Sequence, residues 1–315
     1  MTKRGAHVRK NRFLNGGGLP VLLVAAVLIL AGCSSIPSRH AESFSSGVTA
    51  VRNQTALAFQ GVTDLTSEAM VEFAVRQPTL NDESVLFVLD PDSVAAWDRI
   101  FAALEDYSQA LVLLTSPNLA GEYGKSVAGL GNKIKQTAAD LKEVKAAAGR
   151  SELFTSLSVA FTKLGDVLLG SRTQSDAREI LMATDPTVRG IFLQMAEAID
   201  PGERQGIRGT AYRHWNERKG QLTADFVGTA DLSKKRQWVR EYADLMNQQQ
   251  IQDQVWNSLR RSLLSLAAAH HALANGERAE VAAAVAIVEQ EARNVEELSR
   301  KSKSFSRGRT KDIDP

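Results

Sequence analysis

The chain has 315 residues, with 38 basic and 36 acidic side chains, a formal net charge of +2, 6% aromatic residues and one cysteine. A single cysteine rules out an internal disulfide framework, so stability must come from packing. The near-balanced charge gives no case for nucleic acid as a partner, and abundant alanine and leucine with few aromatics favour close-packed helices over a β-sandwich.

The first element is a basic leader carrying Lys3, Arg4, Arg9, Lys10 and Arg12 with no acid, followed by an apolar run over residues 19–31. It ends in Leu30-Ala31-Gly32-Cys33, which contains the sole cysteine. Positive leader, short apolar core and small-residue site form the pattern of a secretory signal. As a helix the run would span roughly 20 Å at about 1.5 Å per residue, short of the ~30 Å core of a bilayer. Leu-Ala-Gly-Cys also resembles the lipobox of bacterial lipoproteins. That resemblance implies that residues 1–32 are a removed signal peptide, and that the thiol of Cys33 carries a diacylglyceryl anchor in a membrane. Aspartate after the cysteine favours inner-membrane retention in Gram-negative lipoproteins. Ser34 therefore implies the outer membrane, facing the periplasm, if the cell is Gram-negative. Without the leader, 33 basic residues face 36 acidic ones, a formal −3.

Residues 33–40 read as a lipidated polar tether, about 25 Å when stretched. Over residues 41–76, Val48, Val51, Leu57, Val62, Leu65, Ala69 and Phe73 recur at helical spacing, up to Gln77-Pro78. Residues 85–89 look strand-like but lack a partner strand, and read as a buried extended connector. Asp90-Pro91 opens a second helix with a capping aspartate and proline at the first helical position. Its stripe is Val94, Trp97, Phe101, Leu104, Tyr107, Leu111 and Leu114. Ser116-Pro117, Asp185-Pro186 and Asp200-Pro201 repeat that start signal. The helix expected between Ser116-Pro117 and Ala148-Gly149 contains Gly121, Gly124, Gly129 and Gly131. Each costs roughly 1 kcal/mol relative to alanine, and a close helix crossing is the expected compensation. Residues 151–184 continue with Leu153, Leu157, Phe161, Leu164 and Leu168 on one face, with a kink at Gly170-Ser171. A sub-boundary is expected near residues 185–201.

Over residues 232–274, apolar positions including Trp238, Tyr242, Leu245, Trp256, Leu259, Leu263, Leu266 and Leu273 alternate by fours and threes, a heptad seam. Asn275-Gly276 stops it, and Val281, Val285, Val288, Ala292 and Val295 resume the rule, which predicts an antiparallel hairpin. Residues 300–315 read as a disordered basic tail. The expected fold is all-α: an elongated multi-helix bundle over residues 41–299 with long antiparallel, coiled-coil-like helices.

Gln249 and Gln252 interrupt the seam. They are expected to form a core polar layer that fixes register, or to open the seam to a pocket or partner helix. Arg204, Arg208, Arg213, Arg218, Lys219, Lys234, Lys235, Arg236 and Arg240 face only four acids over residues 202–240. They are candidates for contact with anionic headgroups or an acidic partner, against the alternative of a solvated face. His270 lies on the seam beside His271. Helix neighbours point about 100° apart, so a packed or capping role is expected and no metal. No Gly-x-Ser-x-Gly elbow, nucleotide loop or metal-ligand spacing is present, so no enzyme and no cofactor are expected. The resulting expectation is a membrane-anchored periplasmic lipoprotein, a non-catalytic interaction or scaffold module with a protein partner in the cell envelope. The alternatives are a binding module for a hydrophobic or anionic small molecule, and an immunity or exclusion lipoprotein.

Overall fold

Pro91 begins its helix, where a missing N–H breaks no intrahelical bond. It does so in a computed structural model that describes residues 38–75, 79, 89, 91–116, 123–144, 151–170, 177–200 and 206–311. Among the described residues there are eight helices and no strand. These are α1 (Ser38–Val75), α2 (Pro91–Thr115), α3 (Tyr123–Lys142), α4 (Ser151–Gly170), α5 (Ala177–Ile199), α6 (Gly206–Gly228), α7 (Leu232–Asn275) and α8 (Arg278–Lys311). All belong to one unit, Ile36–Pro315, and among the described residues its hydrophobic core runs from Ala41 to Val295.

Four expectations are corrected. Helix α1 starts at Ser38, so the last three residues of the expected tether are helical, and His40 is buried. Pro186 does not start a helix but lies inside α5. Pro186 and Met182, whose carbonyl it deprives of a donor, are both on the exposed side, where water can serve that carbonyl. The expected sub-boundary near residues 185–201 thus falls largely within one continuous helix. Residues 151–184 form two helices, α4 and α5, instead of one kinked helix. The basic segment 300–311 continues α8 to Lys311 rather than forming a disordered tail. Extending an established helix fixes one residue per added bond and avoids the nucleation cost, and Lys301 pairs with Glu297 one turn back at 2.7 Å. The extended connector over residues 85–89 lies outside the described residues except for Leu89, which is buried. The start signals at Pro117 and Pro201 also lie outside them.

Helix α7 is capped at both ends. Asp231 accepts hydrogen bonds from the backbone of Ser233 and Lys234, and Gly276 takes the left-handed conformation at φ 76°. Helix α8 then returns antiparallel, with Arg261 Nε 3.0 Å from Glu291. Helix α1 also runs antiparallel to α7: Gly47 lies under Leu266, and Gln252 Nε2 donates to the Ala58 carbonyl at 3.0 Å. On its other side α1 packs against α2, where Arg52 forks between Asp98 and Glu105, and Thr49 also donates to Glu105. The stripe expected on α2 is buried from Trp97 to Leu114, with Trp97 edge-on and Trp256 tilted against Phe59.

The glycine-rich α3 crosses α4 closely. A Cβ at Gly131 would lie 3.2 Å from the Gly165 carbonyl, and one at Gly165 would lie 2.9 Å from the Gly131 carbonyl. The crossing is backbone on backbone and cannot yield cheaply. Gly129 instead faces open space. Gly165→Ala should destabilise the protein by about 1–3 kcal/mol, whereas Gly129→Ala should be neutral or stabilise it by up to about 1 kcal/mol. Urea unfolding of the two variants measures this, and equal effects would contradict the crossing.

Candidate functional site: a buried tyrosine–histidine–aspartate network

The most concentrated polar chemistry in the core joins α2, α5 and α7. The apolar stripe of α2 places Tyr107 inward, and the seam of α7 places His270 opposite it; both are fully buried. Tyr107 Oη lies 2.7 Å from His270 Nε2, and His270 Nδ1 lies 2.9 Å from Asp185 Oδ1. His271 Nδ1 is 2.9 Å from the other oxygen of the same carboxylate. Thr184 Oγ1 completes the chain at 2.7 Å from Tyr107 Oη and 2.7 Å from the Ile180 carbonyl. Phe44 of α1 packs edge-on against the His270 ring at 5.5 Å and against Phe192 at 6.3 Å.

The proton positions follow from chemistry. An ionised carboxylate only accepts, so Nδ1 of both histidines carries the hydrogen. In a neutral His270 ring, Nε2 must then accept, and the Tyr107 hydroxyl donates to it. Burial holds His270 below its ordinary pKa of 6.5 despite the pull of Asp185, which keeps the ring neutral. Burial would raise Asp185, but hydrogen bonds from His270 and His271 overcome it and hold the carboxyl below its ordinary 3.8. Tyr107 is pushed well up by burial and stays protonated. The order aspartate–histidine–hydroxyl is one that can pass a proton along. Here the hydroxyl is enclosed by packing, and Thr184 has one hydrogen to share between Tyr107 Oη and the Ile180 carbonyl; these contacts lock three helices in register.

Two adjacent histidines, about 100° apart on the helix, still converge on one group, because a carboxylate offers each a separate oxygen. Asp185, Tyr107 and Thr184 were not read as polar partners from the sequence. The available signal was that a buried seam histidine and a buried stripe tyrosine must each find a hydrogen-bond partner. Asp185, with proline after it, carries the local signature of a helix cap.

The remaining candidates are dispersed. Gln249 and Gln252 are buried, and each is satisfied by a different helix. Gln249 Oε1 accepts from Lys219 Nζ of α6 at 2.8 Å, and Gln252 donates to α1 as described. The two glutamines therefore set the register of α7 against both neighbours. Beside them Gly61, Val255, Val295 and Ser299 line a cleft with an internal volume of about 20 Å³, room for a single water. Of the nine bases, Arg208 ties Asp200 (2.7 Å), Asp253 (3.1 Å) and Asn257 (3.1 Å) together. Arg218 lies 3.7 Å from Glu241, and Arg213 donates to Thr210 at 3.0 Å. Lys235 sits 4.9 Å over the Phe226 ring. Lys234, Arg236 and Arg240 are exposed. Arg204 lies outside the described residues.

Comparison of the chain with protein-family models, with curated proteins and with solved structures finds no match.

Both depressed groups act in the same direction. The stabilisation from a neutral buried His270 is complete above pH 6.5 and is lost as the pH falls from there through its folded value. The Asp185 contribution is lost as the pH falls from 3.8 downwards. His40, also lowered by burial and by Arg39 and Arg278, adds to the first loss. The urea midpoint should therefore fall between about pH 7 and about pH 5, and His270→Gln should flatten most of that slope. Tyr107→Phe, which strands His270 Nε2, should cost about 1–3 kcal/mol at neutral pH. An unchanged slope in His270→Gln would refute the assignment.

Proposed function

We propose that the protein is a lipid-anchored envelope lipoprotein whose helical unit is a non-catalytic interaction and scaffold module. The observation that carries this reading is the sole cysteine at the end of the apolar run, in Leu30-Ala31-Gly32-Cys33. Only four residues lie between Cys33 and the first helical residue, Ser38, so the helical unit is held near the membrane that takes the lipid. On this reading the leader is removed, Cys33 is diacylglycerylated, and the location is the outer membrane facing the periplasm in a Gram-negative cell. The length of α1 and α7, 38 and 44 residues, supports a long coiled-coil-like arrangement. At about 1.5 Å per residue these helices reach roughly 55–65 Å, enough to present a docking face well away from the anchor.

Fractionation of cells expressing the full chain tests the anchor. The protein should pellet with membranes and resist washing with about 1 M salt, where the Debye length is about 3 Å. Cys33→Ala should move it to the salt-soluble fraction. Salt-resistant pelleting of Cys33→Ala would sink the proposal.

A further inference from the structure

The central network is one hydrogen short of its contacts. With Asp185 ionised and His270 neutral, the ring carries one hydrogen, on Nδ1, and gives it to the carboxylate. Tyr107 gives its only hydrogen to His270 Nε2, 2.7 Å away. Thr184 Oγ1 then has one hydrogen for Tyr107 Oη and the Ile180 carbonyl, each at 2.7 Å, with the Leu181 carbonyl at 3.3 Å. Both shorter distances suit a full hydrogen bond, and in this state only one of them can be made. Tyr107 and Thr184 are 0% and 1% exposed, so bulk water does not make up the difference.

One added proton supplies the missing hydrogen. An imidazolium donates from both ring nitrogens, so Nδ1–H stays on Asp185 and Nε2–H meets Tyr107 Oη. The Tyr107 hydroxyl turns its hydrogen to Thr184 Oγ1, and Thr184 commits its own to Ile180. Each contact from Asp185 to the Ile180 carbonyl then has one donor and one acceptor. The change needs rotation about C–O bonds and no displacement of a heavy atom. The new charge lies 2.9 Å from the Asp185 carboxylate, and a charge in a core is tolerable when it is paired and hydrogen-bonded in this way.

The surroundings of the ring leave Asp185 as the deciding partner. Burial, His271 and Arg189 oppose a charge on His270, and Asp185 favours it. Arg189 is itself 3.7 Å from Asp185. On α1 the ring meets Phe44, and His40, one turn earlier, responds to Arg39 and Arg278. On α2, Glu105 pairs with Arg52 and Asp106 with Lys133. Helix α8 buries the uncharged Val281, Ala284 and Val285 beside the turn, while Glu277, Arg278 and Glu280 are exposed. We propose that Asp185, His270, Tyr107 and Thr184 form a buried proton-binding site, in which His270 takes one proton from solvent, the hydroxyl hydrogens reverse, and α2, α5 and α7 stay joined. Acid reverses the direction of the lock without opening it. Thr184, the acceptor for Tyr107 in the charged state, sets how tightly the proton is held. The acid loss of stability then ends once folded His270 is charged, because folded and unfolded chains bind that proton alike below its folded midpoint. The inference does not depend on the lipid anchor.

Nuclear magnetic resonance of the full chain in detergent, with nitrogen-labelled imidazoles, tests this, and His270→Gln assigns the signal. At about pH 8 His270 should carry its hydrogen on Nδ1 and none on Nε2. On acidification Nε2 should gain one while circular dichroism stays helical. Thr184→Val keeps the shape but removes the acceptor for Tyr107 in the charged state, so His270 should hold its proton about tenfold less tightly. Thr184→Ser, which restores a hydroxyl, should recover most of that loss. The valine variant should also lose more stability to urea at about pH 5 than at about pH 8; an equal loss at both would make Thr184 a purely structural contact and overturn the proposal. An Nε2–H tautomer in the neutral protein would overturn it, as would an unchanged His270 midpoint in Thr184→Val. So would charging of wild-type His270 only together with loss of helicity, an outcome that needs no variant to fold.

Discussion

The fold depends on one buried hydrogen-bond chain, from Thr184 through Tyr107 and His270 to Asp185. A polar group in a dry core is costly unless every donor and acceptor is paired. Pairing these four groups allows one relative placement of α2, α5 and α7. Helix α1 seats Phe44 against the same histidine, and α8 follows α7 through the Gly276 turn. The α3–α4 pair then packs on α2 and α5. Polar constraints recur at the next level of α7, where Gln249 and Gln252 reach α6 and α1. A wholly apolar seam would permit sliding by a heptad; this one carries polar groups at fixed heights, and each finds its partner in a single register.

Much of this was legible in the sequence because helical spacing records burial directly. The α2 stripe, the span of α7, its Asn275-Gly276 stop and the close crossing at Gly131 all follow from local rules that tertiary contacts reinforce. The errors have a common source. Asp185-Pro186 satisfies the local rule for a helix start, but its aspartate is committed to two histidines more than eighty residues away. No window of neighbouring residues contains that information. Segment 300–311 departs from its local signal for the opposite reason: its composition suits a solvated tail, yet it inherits its conformation from the packed helix before it. At the site, His270 stood out on the seam, while its partners lay on other elements and carried no motif.

The distribution of chemistry along the chain bears on function. The central network is closed, and the cleft at Gln252 is no larger than a water. Among the described residues, the large apolar side chains that face outward include Phe226 and Val227 at the end of α6 and Leu232, Val239 and Met246 at the start of α7. A single acyl chain binds a bilayer only marginally, whereas the two chains of a diacylglyceryl group give stable attachment. In the proposed account, the lipid supplies the attachment and the outer faces of the helical unit are presented to partners.

Intact mass spectrometry of the protein extracted in detergent from the cell envelope tests that account most directly. It predicts a chain beginning at Cys33 and carrying the mass of a thioether-linked diacylglycerol, with or without an amide-linked acyl group. A chain that retains residues 1–32, or one whose Cys33 bears no lipid, would contradict it.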